Sequence, residues 1–179
     1  MTPEDVLTFW FEESGPKQWF KKSDAFDADI RRRFEDLVLS VSTDAARWTD
    51  TPENLLALIV ALDQFPRNMY RGTKAAFAFD DKALSNAQTM TDKGWDLKID
   101  QSRRSFAYMP FMHAETMAAQ NECVRLMDMR LENENNLHHA KEHRKVIERF
   151  GRFPHRNEIL GRESTAEEIA FLKSGGYAP

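Results

Sequence analysis

Apolar side chains recur along most of this chain at helical spacing. Phe106, Met109, His113, Met117, Gln120, Val124, Met127 and Leu131 follow one another every three or four residues, the spacing of one stripe on a helix. Two of them, His113 and Gln120, are polar and are expected to point inward. Leu55, Leu56, Leu58, Ile59, Val60 and Leu62 instead surround their helix, which predicts an element buried on all sides. Asp63 falls between Leu56 and Ile59 on that helix, so its carboxylate is expected to have a cation partner or a raised pKa. A third segment puts Leu137, Ala140, Ile147 and Phe150 on one face together with His143 and Arg144. Lys141, Glu142, Lys145, Glu148 and Arg149 form its solvated face.

Local signals place the ends. Thr2 before Pro3 and Thr51 before Pro52 read as N-caps ahead of a proline at the first helical position. Ser164-Thr165-Ala166-Glu167 reads as a capping box, and Gly94 and Gly151 stand where helices should stop. The expected helices are 3–12, 24–41, 52–65, 74–79, 81–93, 101–109, 111–131, 134–150 and 165–173. Pro110 removes a donor and clashes with the Phe106 carbonyl, so a kink or break is expected one turn before His113. Gly175-Gly176 reads as a frayed tail.

Composition supports the same picture. Only 7 Gly and 7 Pro punctuate 179 residues, and 19 Ala and 14 Leu outweigh 6 Val and 6 Ile. The expectation is one all-α domain over residues 1–179, built of stacked antiparallel helical hairpins, tetratricopeptide-like. Cys123 stands alone, which excludes an internal disulfide or a Cys-rich zinc site. The acidic start lacks the positive region of a secretory signal, and no apolar run approaches the roughly 18 to 20 residues of a membrane span. A soluble, cytoplasmic protein is expected, with no membrane and no nucleic-acid partner.

Charge changes the picture once it is divided by position. The net charge is −4, yet His138 to Arg162 holds seven Lys and Arg against three Glu, a local +4 that leaves −8 elsewhere. Four of the five histidines lie in that window. It also contains half of an internal similarity: Asp63-Gln64-Phe65-Pro66-Arg67-Asn68 and Gly151-Arg152-Phe153-Pro154-His155-Arg156-Asn157 both read as a helix ended by Phe-Pro and followed by Arg-Asn. A duplication of this kind suggests helical-hairpin repeats. Arginines offer planar donor forks for carboxylate or phosphate, so converging copies would make an anion site. The alternative is that they pair with Asp63, Glu115 and Glu158 inside structural networks.

Other chemistry is thinner. His139 and His143 stand at i,i+4, but no zincin glutamate lies between them, and neither a metal nor a cofactor is expected. His113, inward beside a proline, is a candidate general base with Glu115 or Asp63 as acidic partner. Cys123 reads as core. Phe9, Trp10, Phe11, Trp19 and Phe20 read as a hydrophobic lid, with a groove for a peptide as the functional alternative.

The two Phe-Pro blocks, extended to Leu62–Thr73 and Arg149–Asn157, resemble the domain of unknown function 924 family. So do Val6–Phe11 with Trp19-Phe20, Tyr108–His113 with Glu115, and Leu160–Thr165. The resemblance covers nearly the whole chain and implies an all-helical, tetratricopeptide-like fold in a mostly bacterial family with no established activity. It brings no catalytic residues. At Ala114 this chain departs from relatives that often carry serine, which removes any role for a hydroxyl there.

Three readings follow. The first is a binding module that holds an anionic small molecule or a peptide carboxylate in a cleft lined by Arg67, Asn68, Tyr70, Arg71, His113, Arg156 and Asn157. The second is an enzyme using His113 with Glu115 or Asp63. The third is a structural adaptor that docks a protein partner. Sequence leaves ligand identity and oligomeric state open.

Overall fold

The computed structural model describes residues 1–19 and 21–177; Phe20, named above among the aromatics, lies outside the described residues. Helix accounts for 77% of the protein, with ten α-helices and no strand among the described residues, so the protein is all-α. No helix is long and apolar enough to cross a membrane among these residues. The chain forms two compact units, Met1–Pro110 and Phe111–Pro179.

The first unit is organised by α4 (Pro52–Met69), which α1 (Pro3–Leu7), α3 (Asp24–Val41) and α5 (Asp80–Asp92) pack against. Every residue from Leu55 to Leu62 is buried, as the all-round apolar pattern predicts. Thr51 caps α4 by accepting from the Asn54 N–H, and Thr2 does the same for α1 from Asp5. The expected helix 3–12 changes character at Thr8, where a π-helix runs from Thr8 to Ser14 and stops at Gly15, φ +80°. Within it Phe9 and Trp10 are both buried: Phe9 lies 4.8 Å from Phe34, and Trp10 packs edge-on against Phe65 at 5.7 Å. The indole of Trp19 on α2 (Pro16–Trp19) donates to the Trp10 carbonyl at 2.7 Å. Phe9 and Trp10 are therefore core residues of this unit.

Two expected boundaries are corrected. The helix predicted to end at Phe65 continues through Pro66 to Met69. Proline forfeits its own N–H bond and crowds the carbonyl one turn back, yet with Phe65 and Pro66 both buried the surrounding contacts hold the helical path. Similarly, α6 (Gln101–His113) passes through Pro110 and ends three residues later, and α7 runs only from Met117 to Arg130. The break lies at Ala114–Thr116, where the Thr116 hydroxyl caps α7 by accepting from Ala119. Gln120 turns inward as expected and donates to the carbonyls of Phe111, Met112 and Ala114 at 3.3, 2.7 and 2.8 Å, satisfying groups that the end of α6 leaves open. His113 thus sits at a helix C-terminus, and the single stripe from 106 to 131 belongs to two helices.

The second unit pairs α7 with α8 (Glu134–Phe150), whose ends match the prediction, and adds α9 (Asn157–Leu160) and α10 (Ala166–Lys173). Gly151 takes φ +69° to end α8. The capping box that opens α10 sits one residue later than predicted, on Thr165 and Glu168. Val146, Ile147 and Phe153 form the core, with Met117, Phe150, Phe171 and Tyr177 against it. The tail is docked rather than frayed, because Tyr177 packs against this core.

Candidate functional site

The first Phe-Pro segment lies wholly within one helix, and its polar groups turn onto neighbouring carboxylates. Arg67 grips both oxygens of Asp80 at 2.8 and 2.9 Å, donates to the Asp63 carbonyl at 2.8 Å, and stands 3.3 Å from Asp63 Oδ1. Asp63 is 1% exposed, and its second oxygen accepts from Gln64 at 2.6 Å. Of the two outcomes expected for this carboxylate, the structure shows the cation partner. Arg71 holds Asp27 through two bonds of 2.7 and 2.9 Å and also reaches Asn68 Oδ1, while Asn68 donates to the Gln64 carbonyl. Tyr70 donates to Glu35 at 2.9 Å. Each of the four polar side chains expected to face a ligand here is bonded within the unit.

The second segment breaks the chain into a 3₁₀ turn, Pro154–Arg156, between α8 and α9. Glu115 accepts twice from Arg162, at 2.6 and 3.0 Å, and once from the Phe153 N–H at 2.7 Å. Burial raises the Glu115 pKa, but these hydrogen bonds and the charges of Arg162 and Arg156 outweigh it and hold the group below the usual carboxylate range. Asn157 accepts from Arg162 and donates to Ser164 and Glu168. Glu168 also takes two bonds from Arg152 and one from the Thr165 N–H; chiefly because of Arg152, its pKa falls to about 2. Arg149 pairs with Glu167. The basic window is thus answered by Glu115, Glu167 and Glu168, none of which lies inside it, so the +4 of the sequence is not an open positive surface.

A different group of side chains gathers around the ring of Phe153. The Arg156 guanidinium lies 4.6 Å above it, His143 meets it edge-on at 5.6 Å, and His155 lies 5.7 Å away. His113 approaches His143 at 6.4 Å between ring centres. His143 and Arg156 are 4% and 6% exposed, whereas His113 and His155 keep part of their surface in solvent. Burial, with the charge of Arg156, pushes the His155 pKa down to about 4. Burial also takes His143 to about 3, helped by its His113 and Arg156 neighbours against the hydrogen bond to His139. Both rings are therefore neutral at neutral pH. The buried Nδ1 of His155 has no hydrogen-bond partner.

These features sit in a sequence that matches, over residues 6–176, a family described as bacterial protein of unknown function (DUF924). The chain belongs to this family. The structure of a protein of unknown function, ATU0120 from Agrobacterium tumefaciens, is similar at 42% identity, with 97% of each chain covered and a TM-score of 0.91. No curated protein matches the chain.

Within this DUF924 chain, sequence reasoning placed His113 and Arg156 in a cleft, weighed His143 only as a metal ligand, and gave His155 and Tyr177 no ligand role. The i,i+4 spacing of His139 and His143, weighed there as a metal signal, has another use: it lets His143 Nδ1 reach the His139 carbonyl at 2.8 Å. No group of three or more His, Cys, Asp or Glu that could hold a metal occurs among the described residues. Tyr177 gave no signal, since only the docked tail brings its hydroxyl to His139 Nδ1, 2.9 Å away. Cys123 is fully buried, and its thiol pKa is raised by that burial, which removes thiolate chemistry at neutral pH.

Proposed function

We propose that this DUF924 protein is a binding module for a small anion, seated at the Phe153 corner of the second unit. Of the residues expected to line a cleft, the proposal keeps His113 and Arg156 and adds His143 and His155. The observation that carries it is the buried Arg156 guanidinium stacked on Phe153 beside His155, whose buried Nδ1 lacks a partner. Buried polar nitrogens are nearly always hydrogen-bonded, so a partnerless one beside an arginine fits a site completed by a ligand or an ordered water. Asn157 and Glu115 act as supports: both are committed to Arg162, and Glu115 also fixes the Phe153 N–H. With both oxygens engaged and its charge stabilised, Glu115 is a poor proton acceptor, which weakens its pairing with His113 as acid and base.

The test is thermal denaturation with inorganic phosphate, sulfate, nucleotides and small carboxylates, repeated on Arg156→Gln. A saturable rise in Tm with at least one anion, lost in the variant, supports the reading. No rise with any anion ends it.

A further inference from the structure

We propose that Gly175–Tyr177 is a strap latched by one side chain, and that its release gates access to the His143 imidazole on α8. The strap starts at the end of α10, where a left-handed glycine turns the chain back. Gly175 takes φ +77°, its N–H donates to the Leu172 carbonyl at 3.2 Å, and the Gly176 N–H donates to the Phe171 carbonyl at 2.9 Å. These are the two bonds of a Schellman cap, which wants a residue free to take φ > 0 at that place. Gly176 then passes so close to the Phe171 ring that a Cβ would stand 2.5 Å from it. Two glycines thus aim the chain from α10 onto α8, and a larger residue at Gly176 would push the strap away.

Past Gly176 the strap makes no further backbone hydrogen bond among the described residues, so Tyr177 holds it by its side chain. The hydroxyl lies 2.9 Å from His139 Nδ1 and 3.3 Å from His143 Nδ1, and the ring meets that of His143 edge-on at 5.2 Å. It also rests on the core of Val146, Ile147 and Phe153. Tyr177 is itself only half-buried, whereas His143 against it is 4% exposed. The rings of Phe153 and His113 also flank His143, but each has a backbone anchor of its own, the Glu115 carboxylate for Phe153 and α6 for His113. Segments with few buried contacts and few backbone bonds open at a cost far below that of unfolding the whole unit. Opening this latch gives up one half-buried ring and its hydrogen bonds to imidazole nitrogens, while α7 and α8 stay packed. What it uncovers is an imidazole on an apolar face, a hydrogen-bonding and nucleophilic group that the closed strap keeps from solvent.

The experiment is acylation of the full chain with diethyl pyrocarbonate, which reacts with uncharged imidazoles that reach solvent, read at His143 by fragment-level mass spectrometry. Cys123, fully buried on α7 of the same unit, is labelled in parallel with iodoacetamide and reports unfolding of that unit. Tyr177→Ala is expected to raise the His143 rate about 10- to 100-fold, through loss of the ring contact and the hydroxyl bonds together. Tyr177→Phe, which keeps the ring, is expected to raise it about 2- to 10-fold. Gly176→Ala, which drives the strap off the Phe171 ring and leaves Tyr177 unaltered, is expected to act in the same direction and decides the matter if Tyr177→Ala does not fold. The Cys123 rate is expected to stay unchanged in all three. A His143 rate unmoved by loss of the Tyr177 ring or by the Gly176 wedge overturns the proposal. So does a His143 rate that rises only in step with that of Cys123, because opening is then unfolding of the unit.

Discussion

The two Phe-Pro segments share four residue types, Phe, Pro, Arg and Asn, in the same order and do different things with them. In the first, Pro66 rides inside a continuous α4, and the following arginine and asparagine bond to Asp80, Asp63 and the Gln64 carbonyl. In the second, the helix has already stopped at Gly151, and Pro154 opens a separate turn. One inserted residue, His155, occupies the extra position, and the arginine after it lies over the Phe153 ring. The lesson is that a short sequence repeat specifies a turn chemistry only together with what precedes it: a glycine able to take φ > 0 breaks the helix, and a buried apolar run carries it through the proline.

The sharpest way to break the comparison is to remove the arginine that the first segment sets against a buried aspartate. Arg67→Ala leaves Asp63, 1% exposed, without its cation, and a stranded buried charge costs about 3–5 kcal/mol. Urea unfolding should show that loss for Arg67→Ala, and a larger fraction of it retained as loss in Arg67→Lys than a point charge would predict, since lysine cannot grip both Asp80 oxygens. A loss below 1 kcal/mol would show that Arg67 is not what holds the Asp63 charge.

Acid titration separates the segments next. His143 and His155 have folded pKa values of about 3 and 4 against an ordinary 6.5, so below pH 6.5 the unfolded chain binds protons that the folded chain refuses. Their contribution is complete above pH 6.5 and is lost as pH falls towards 4, at about 1.4 kcal/mol per pH unit for His143 and less for the part-exposed His155. Glu168 and Glu115 act lower, contributing above pH 4.5 and losing that contribution below it. Denaturant midpoints between pH 7 and 5 should fall accordingly, and His143→Gln should remove most of the slope. A flat profile over that range would show that the histidines are not held neutral.

Sequence made the scaffold legible where the physics is local. The spans of α3 and α8, the all-round burial of α4, the threonine caps and the left-handed Gly151 all follow from spacing, propensity and side-chain size. It failed where tertiary contacts overrule a local rule. Pro66 was read as a helix stop and Pro110 as a kink or break, and both helices continue past their proline. The charge window was legible as a count but not as a field, since Glu115 and Glu168, distant in sequence, supply the counter-charges. His143 was visible on the apolar face of α8, but not its contacts with the His139 carbonyl and with Tyr177, which depend on how the C-terminal segment packs.

The paired asparagines offer a direct measure of how far the two networks differ. Asn157 serves Arg162, Ser164 and Glu168, whereas Asn68 serves Arg71 and one carbonyl. Truncating a buried amide strands each partner in proportion to its number, so Asn157→Ala should cost about 2–3 kcal/mol and Asn68→Ala about 1–2. Matched urea titrations decide it, and the reverse order would show that the first network is the more tightly coupled.

The smallest of these effects isolates the backbone. Gly151 has φ +69°, yet an added Cβ would find nothing within 4 Å, so Gly151→Ala changes no packing and adds only the left-handed strain. That strain is about 1–2 kcal/mol. The first segment has no such residue at its helix end, where Tyr70 takes φ −119°, so a Tyr70→Phe change there should cost only the bond to Glu35. If Gly151→Ala is neutral by urea unfolding, the break in α8 is not set by glycine. The inserted His155 would then be the feature that turns one segment into a corner while the other stays a helix.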